Sequence, residues 1–496
     1  MLAGVVVVGF GAAGACAAIE AADAGADVIV LDRFDGGGAT ALSGGVVYAG
    51  GGTAQQAKAG IVDTPDAMYD YLAHEVGDAV TAATLRSFCD DSADMLAWLE
   101  DKGVPFAASV CPYKTSYPTD RHYLYYSGSE TLYDRPAPRG HRTAGRGTSG
   151  KLLFHQLEQA AIDRGVRILR RTTAQRLITD PNGRVVGVLC RQLTGFPARL
   201  HRFLGKLAAK PGLYVPSLRR RLHRSIRRIE SRHGTEITVS ARDGVVLCAG
   251  GFVANPVMMK EHAPAYRRGL PLGTLGDDGS GIRLGSEIGA ATAKMDHVSA
   301  WRFVTPPSAL MKGRLINEQG EEICDLNRYG AAVGHAMITE HGGKGWLLVD
   351  GAILDEARRQ IPSQTTWFQR LQTRYLFGQA RTTAPTLAEL SGKTGVAIKD
   401  FDGQPPFSLI DVSIKRSVGY PCPMLTLGGL VVDERSGEVL AAEGNPVPGL
   451  YAAGRNAVGI CSNSYVSGLS LADCVYSGRR AGRHVAAARR SRGAQR

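Results

Sequence analysis

The 496-residue chain contains 62 glycines, has no Gly-X-Y period, and is 44% hydrophobic, whereas glycine usually makes up roughly 7% of a globular protein. A collagen-like or disordered chain is therefore excluded, leaving a large α/β protein of about two or three domains, rich in tight turns or phosphate-binding loops. The net charge of +12 is local, because eleven of the 58 basic and one of the 46 acidic residues lie between Arg199 and Arg232, so the body as a whole is not that of a nucleic-acid binder.

The first 19 residues are uncharged, but the first basic residue is Arg33 and four glycines interrupt the stretch, so neither a signal peptide nor a membrane span is expected. Residues 4–14, GVVVVGFGAAG, read as a buried β-branched strand, then Gly9, Gly11 and Gly14 in GxGxxG spacing, then an alanine-rich helix. The first glycine permits the tight turn, the second lets the backbone approach a pyrophosphate, and the third lets helix and strand pack closely. A second strand, DVIVLD, ends in Asp32, placed to accept bonds from ribose hydroxyls. A second glycine-rich loop follows, GGGATALSGG at 36–45 with Thr40 and Ser43. It is too long for an ordinary nicotinamide domain and suits a larger cofactor.

Between Leu152 and Leu247 the pattern is a helix, then short β-segments around Val166, Leu177, Val185 and Ile237, with a turn at Pro181, Asn182 and Gly183. The basic segment interrupts this region. Leu200, Phe203, Leu204 and Leu207 share one helical face, as do Leu218, Leu222, Ile226 and Ile229, with Pro211, Gly212 and Pro216 between them. This helical hairpin either packs its stripes on the body or rests on anionic lipid, with nucleic acid a third reading that no surrounding recognition module supports. Residues 245–252, VVLCAGGF, and 447–459, VPGLYAAGRNAVG, are strands ending in glycine turns, which points to one domain split by an insertion. Within that insertion, Gly342, Gly343, Pro362, Pro405 and Pro406 punctuate the chain, and no second GxGxxG with a following acid announces an NAD(P)H domain. The nine cysteines include no CxxC pair, so neither a disulfide framework nor a metal site is expected, and a reducing cytoplasm fits.

Together, GFGAAG, GGGATALSGG, VVLCAGGF, AAGRNAVG and SYVSGLSLADCVYSGRRAG resemble the flavoprotein superfamily of fumarate reductase and succinate dehydrogenase, and within it the bacterial 3-ketosteroid dehydrogenases. The resemblance covers most of the chain apart from the basic hairpin. It implies an α/β fold in which a Rossmann-like FAD-binding domain, 1–290 and 412–496 with the hairpin inserted at 197–233, is interrupted by an α+β catalytic cap domain at 291–411. It also implies noncovalent FAD, held by Gly9, Gly11, Ala13 and Gly14, by Asp32 and Arg33, and by Gly38, Ala39, Thr40, Ser43, Gly44 and Gly45. Further contacts fall to Ala174, Gly251, Gly454, Arg455, Ser470 and Leu471.

A fumarate reductase must hold two carboxylates. Residues 320–329, GEEICDLNRY, lack the superfamily's arginine-phenylalanine pair, and Arg302, Arg328 and His335 sit in no matching motif. Near the flavin end the chain offers the uncharged Ser464, Tyr465 and Ser467, which suit a neutral substrate. Tyr465 and Ser467 match the tyrosine and serine of the 3-keto-5α-steroid Δ4-dehydrogenases, and Tyr329 their cap tyrosine, although Glu322 and Leu326 depart from the residues commoner there. The stretch YLYYSGSE at 123–130 reads either as a substrate-side loop or as an aromatic cluster.

The expected reaction is FAD-dependent dehydrogenation of a 3-keto-5α-steroid, introducing a C4–C5 double bond. Tyr465 would take the α proton, Ser467 and the backbone N–H of Gly429 or Gly468 would hold the enolate oxygen, and hydride would pass to flavin N5. A phenol of pKa about 10 is ionised to about one part in a thousand at pH 7, a gap that Tyr329 or the dipole of a C-terminal helix over 469–483 would narrow. The alternatives are a 3-ketosteroid Δ1-dehydrogenase, a fumarate-reductase-like flavoprotein and a noncatalytic electron-transfer subunit. Expected partners are a steroid and an external electron acceptor, a quinone or redox protein, with no nucleic acid. The expected location is cytoplasmic, peripheral to an anionic membrane if the hairpin binds lipid.

Overall fold

The structure, a computed structural model, describes residues 1–209, 215–266, 268–417 and 419–493. At its centre is an eight-stranded sheet. Strands Arg167–Arg170, Val28–Asp32, Leu2–Val8, Thr235–Leu247 and Pro446–Ala452 lie side by side and parallel, and Glu438–Leu440 closes one edge antiparallel. The hairpin Thr172–Thr179 and Val185–Gln192 attaches to the long strand Thr235–Leu247. Val5, Val6 and Val7 are wholly buried, which is why the first strand reads as a continuous β-branched run rather than an alternating one. Helices Ala12–Asp23 and Leu469–Gly493 pack together on this sheet. They meet closely: a Cβ on Gly478 would lie 2.5 Å from the Ala13 carbonyl oxygen.

The chain leaves the sheet after Leu247 and returns at Glu438. In between, strands Arg314–Ile316, Trp346–Val349, Phe407–Asp411 and Arg381–Ala384 form an antiparallel sheet accompanied by helices Gly330–His341, Gly351–Gln364, Trp367–Gly378 and Leu387–Thr394. A small sheet of Leu270–Pro271, Pro423–Thr426 and Val298–Ala300 lies between the two bodies in sequence. The fold is thus the expected one, a Rossmann-like α/β body interrupted by an α+β layer.

The basic insertion leaves after Val185–Gln192 and re-enters at Thr235–Leu247, which are neighbours in the sheet. It forms helices Gly195–Ala209 and Pro216–His233; the expected break at Pro211 and Gly212 lies outside the described residues. The second helix buries Leu222 and Ile226 against Leu275, with Phe34 and Leu218 packed beside them. The first helix packs Leu204 and Leu207 of the expected stripe inward, beside the buried Ala198, His201 and Ala208, and departs from the stripe at Phe203, which is 58% exposed. A polar cluster fixes this face. His201 stacks on Phe34, its Nε2 lies 2.9 Å from Glu230 Oε1, and Arg33 Nε donates to the same oxygen over 2.7 Å. Burial raises the Glu230 pKa, but His201 and Arg33 outweigh that and hold it at about 2. Among the described residues no helix is long and apolar enough to cross a membrane.

Candidate active site

The first strand gives way just after Val8 at Gly9, whose φ of +101° suits glycine, and the helix begins at Ala12. A Cβ on Gly14 would collide with the Gly9 carbonyl oxygen, so the third glycine allows the close packing that its spacing implied. Thr40 of the second loop accepts the Ala12 N–H over 3.0 Å and ties that loop to the helix start. Asp32 accepts backbone N–H groups from Phe10 (3.0 Å), Phe34 (2.8 Å) and Gly36 (3.0 Å), which orders the turn at the end of its strand. Burial raises its pKa while those three donors act to lower it.

These segments form one end of a continuous cavity of about 500 Å³, within the range typical of small-molecule sites. Every residue expected to hold the cofactor lines it except Gly14, Gly45, Gly251 and Gly454. Gly250 lines it beside Gly251, and a Cβ on Gly454 would press on Ala13 from behind, at 2.8 Å. The Arg33 guanidinium is engaged elsewhere, by Glu230 and by Asp278 at 2.7 Å, so it fastens the insertion at the cavity wall.

The lining fits FAD on this structure's own terms. Gly11, Ala12 and Ala13 bring the amino end of the first helix to the cavity, where N–H groups and dipole favour phosphate. Arg455 donates through Nη2 to Asp277 over 2.5 Å, and its Nη1 is buried with no partner. A guanidinium N–H in that state calls for an acceptor, such as a cofactor oxygen.

The other end of the cavity is aromatic. Trp301, Phe303, Tyr329, Phe368, Tyr420 and Tyr465 line it. Trp301 stacks on Tyr465 at 4.9 Å between ring centroids, Phe303 meets Tyr329 edge-on at 5.2 Å, and Tyr329 and Tyr465 are 6.1 Å apart. Ser467 also lines this end, its Oγ 2.9 Å from the buried Tyr125 hydroxyl. The Ser467 backbone is pinned to Ser127 by two 3.0 Å bonds, Ser467 N–H to Ser127 O and Ser127 Oγ to Ser467 O. Tyr329 stands at the N-cap of helix Gly330–His341, where its N–H donates to Ser129 Oγ over 2.9 Å. The three residues expected to act on substrate are therefore brought together.

Burial pushes the Tyr465 phenol above its ordinary pKa, Cys461 adds to the effect, and a backbone hydrogen bond from Gly468 opposes it. Tyr329 is pushed the same way by burial, then by Tyr465 and Tyr125, with a Ser467 hydrogen bond opposing. Gly468, Ser470 and Leu471, at the start of the C-terminal helix, line the cavity. Gly429, the other backbone donor considered, lies in the short strand Gly429–Leu430 away from it.

Arg302, Arg328 and His335 do not line the cavity. Arg302 is buried with its guanidinium 4.2 Å from the Tyr420 ring, Arg328 is exposed, and His335 Nδ1 lies 3.0 Å from the Tyr266 hydroxyl. Sequence reasoning missed Trp301, Phe303, Phe368, Tyr420 and Asp277. For Tyr125 the signal was present in YLYYSGSE, where the tyrosine run did not say which ring turns inward.

The model of a family described as an FAD binding domain matches residues 4–468. The 3-oxo-5-alpha-steroid 4-dehydrogenase of Comamonas testosteroni is 38% identical over 492 aligned residues, covering 91% of this chain and 92% of that protein. The 3-oxosteroid 1-dehydrogenase of Mycobacterium tuberculosis is 26% identical, with 93% and 94% covered. Among solved structures, 3-ketosteroid-delta4-(5alpha)-dehydrogenase of Rhodococcus jostii RHA1, in complex with 4-androstene-3,17-dione, superposes with a TM-score of 0.80 at 30% identity over 98% of this chain and 97% of that one.

Proposed function

This chain belongs to the FAD binding domain family, and on that footing we propose that it is an FAD-dependent dehydrogenase that converts a 3-keto-5α-steroid to the C4–C5 unsaturated ketone. The observation that carries this reading is the aromatic end of the cavity, where Tyr465, Ser467 and Tyr329 converge without a cationic group from Arg302, Arg328 or His335. Such walls suit a flat neutral ketone, whereas a dicarboxylate would lie there without counter-charge. The relatives acting on 3-ketosteroids agree with this reading, and the greater identity to the 4-dehydrogenase than to the 1-dehydrogenase favours C4–C5 over C1–C2.

Bound FAD supplies the acceptor for the hydride leaving the carbon β to the ketone. Tyr465 takes the proton from the α carbon, and the Gly468 N–H bonded to its phenol lowers the cost of ionising it. The Ser467 hydroxyl, oriented by Tyr125 and assisted by Tyr329, donates to the ketone oxygen as enolate charge develops. Trp301 and Phe303 hold the two phenols in place and exclude water. Residues 291–411 serve as the cap over this site. In this proposal FAD is held noncovalently. Electrons leave to an external quinone or redox protein, and the enzyme works at the edge of an anionic membrane that dissolves its substrate.

The test is incubation of the purified protein with a 5α-androstan-3-one and a dye acceptor, followed by mass and double-bond analysis. A product lighter by two hydrogens with a C4–C5 double bond supports the reading. A C1–C2 double bond, or turnover of fumarate with reduced dye in place of the steroid, overturns it.

A further inference from the structure

We propose that the outer face of the helical insertion is a docking platform for an anionic lipid bilayer. On the helix Pro216–His233, Arg220, Arg221, Arg224, Arg227, Arg228 and Arg232 are exposed, on the side opposite the buried Leu222, Ile226 and Glu230. On the helix Gly195–Ala209, Arg199 and Lys206 are likewise exposed. None of these eight cations forms an ion pair among the described residues. The insertion's other cations behave differently. Arg202, itself exposed, pairs with Asp35 at 3.1 Å, and Arg219 is buried, donating to the carbonyls of Pro271 (2.9 Å) and Gly273 (2.7 Å). The structure thus uses these two charges to dock the insertion and leaves the eight unpaired ones to repel one another, an arrangement relieved by an anionic surface.

The platform is fixed rather than a loose tail. Arg33 bridges Glu230 and Asp278, each at 2.7 Å, and His201 and Phe34 close the joint. Its apolar content identifies the occupant. Phe196 and Phe203, 74% and 58% exposed, stand two turns apart on the same side of their helix as Arg199 and Lys206. Cations interleaved with exposed aromatic rings on helices lying side by side suit the headgroup and upper acyl region of a bilayer, where the rings enter and the arginines meet phosphate. A duplex nucleic acid would use the charges and leave the rings in water. This inference deepens the reading above, on which it rests for its purpose of meeting a lipid-dissolved steroid; the contacts it invokes lie outside the catalytic cavity.

The experiment is co-sedimentation of the full-chain holoenzyme with vesicles of phosphatidylcholine alone or of phosphatidylcholine with a quarter phosphatidylglycerol. Binding is expected to the anionic vesicles only, and is expected to fall steeply as salt shortens the Debye length from about 10 Å at 0.1 M to about 3 Å at 1 M. The combined variant Arg220→Gln, Arg224→Gln, Arg227→Gln and Arg228→Gln should weaken vesicle binding by at least about 100-fold. The variant Phe196→Ser with Phe203→Ser should weaken the remainder that survives high salt. Both variants should keep wild-type FAD content and wild-type turnover of detergent-dissolved steroid, so failure of the docking proposal is separable from failure of the enzymatic one. Equal binding to neutral and anionic vesicles, no binding to either, unchanged binding by the arginine variant, or preferential capture by duplex DNA at equal phosphate concentration would overturn the proposal.

Discussion

Replacing Tyr465 by phenylalanine deletes one hydroxyl from the cavity wall and leaves the ring stacked on Trp301 at 4.9 Å. The ring packing is kept, so little stability should be lost and FAD content should be unchanged. A positioned general base contributes about 10² to 10⁴ in rate, so kcat should fall by that factor while KM for the ketone moves little. The pH profile gives a second, independent reading. Burial holds the phenol above its ordinary pKa, so the active, ionised form is a minor species at neutral pH and grows about tenfold per pH unit below the pKa. Wild-type log(kcat/KM) should therefore climb with a slope near one through the mildly alkaline range without reaching a plateau by about pH 9, whereas the variant should lose that slope. Steady-state dye reduction across pH, at saturating acceptor, measures both quantities. Turnover close to wild type, or the same rising profile in the variant, would refute the assignment and move the proton to another group.

Ser467→Ala removes the hydroxyl 2.9 Å from Tyr125 and should lower kcat by about tenfold, the worth of one modest hydrogen bond; steady-state assay of the variant at neutral pH checks this, and a loss as large as that of Tyr465→Phe contradicts the division of labour. Arg455→Met removes the buried Nη1 and the ion pair to Asp277, which keeps its bonds from Thr274, so flavin-fluorescence titration should show FAD binding weakened by about 10- to 100-fold. Acid precipitation of the holoenzyme should leave a colourless pellet and a yellow supernatant; colour kept in the pellet would reveal a covalent tether.

The nucleotide end was legible because each requirement there is local. A tight turn needs Gly9, a close crossing needs Gly14, and a strand-ending carboxylate needs Asp32, all within one short stretch of chain. The substrate end was legible only where a motif named it, as SYVSG named Tyr465 and Ser467. Tyr125 lies 342 residues from the serine it orients, and no periodicity reports a contact of that range. Arg33 shows the same limit from the other side. The resemblance implied that it lines the cofactor site, as it does, but nothing local announced its partner Glu230, 197 residues away in the insertion. Phe203 misled because a period of 3.6 assigns a whole face by its large residues: Leu204 and Leu207 of that face do pack inward beside Ala208, but the phenylalanine at its edge is turned outward.

The central claim is that hydride leaves C5 and a proton leaves C4 of a 3-keto-5α-steroid. A substrate carrying deuterium at C5 tests it most directly, by its effect on turnover and by the fate of the label in the product. The account predicts slower turnover with the labelled substrate and a C4–C5 unsaturated ketone from which the deuterium is gone. Retention of deuterium at C5 with a C1–C2 double bond, or no turnover by protein that holds FAD, would contradict it.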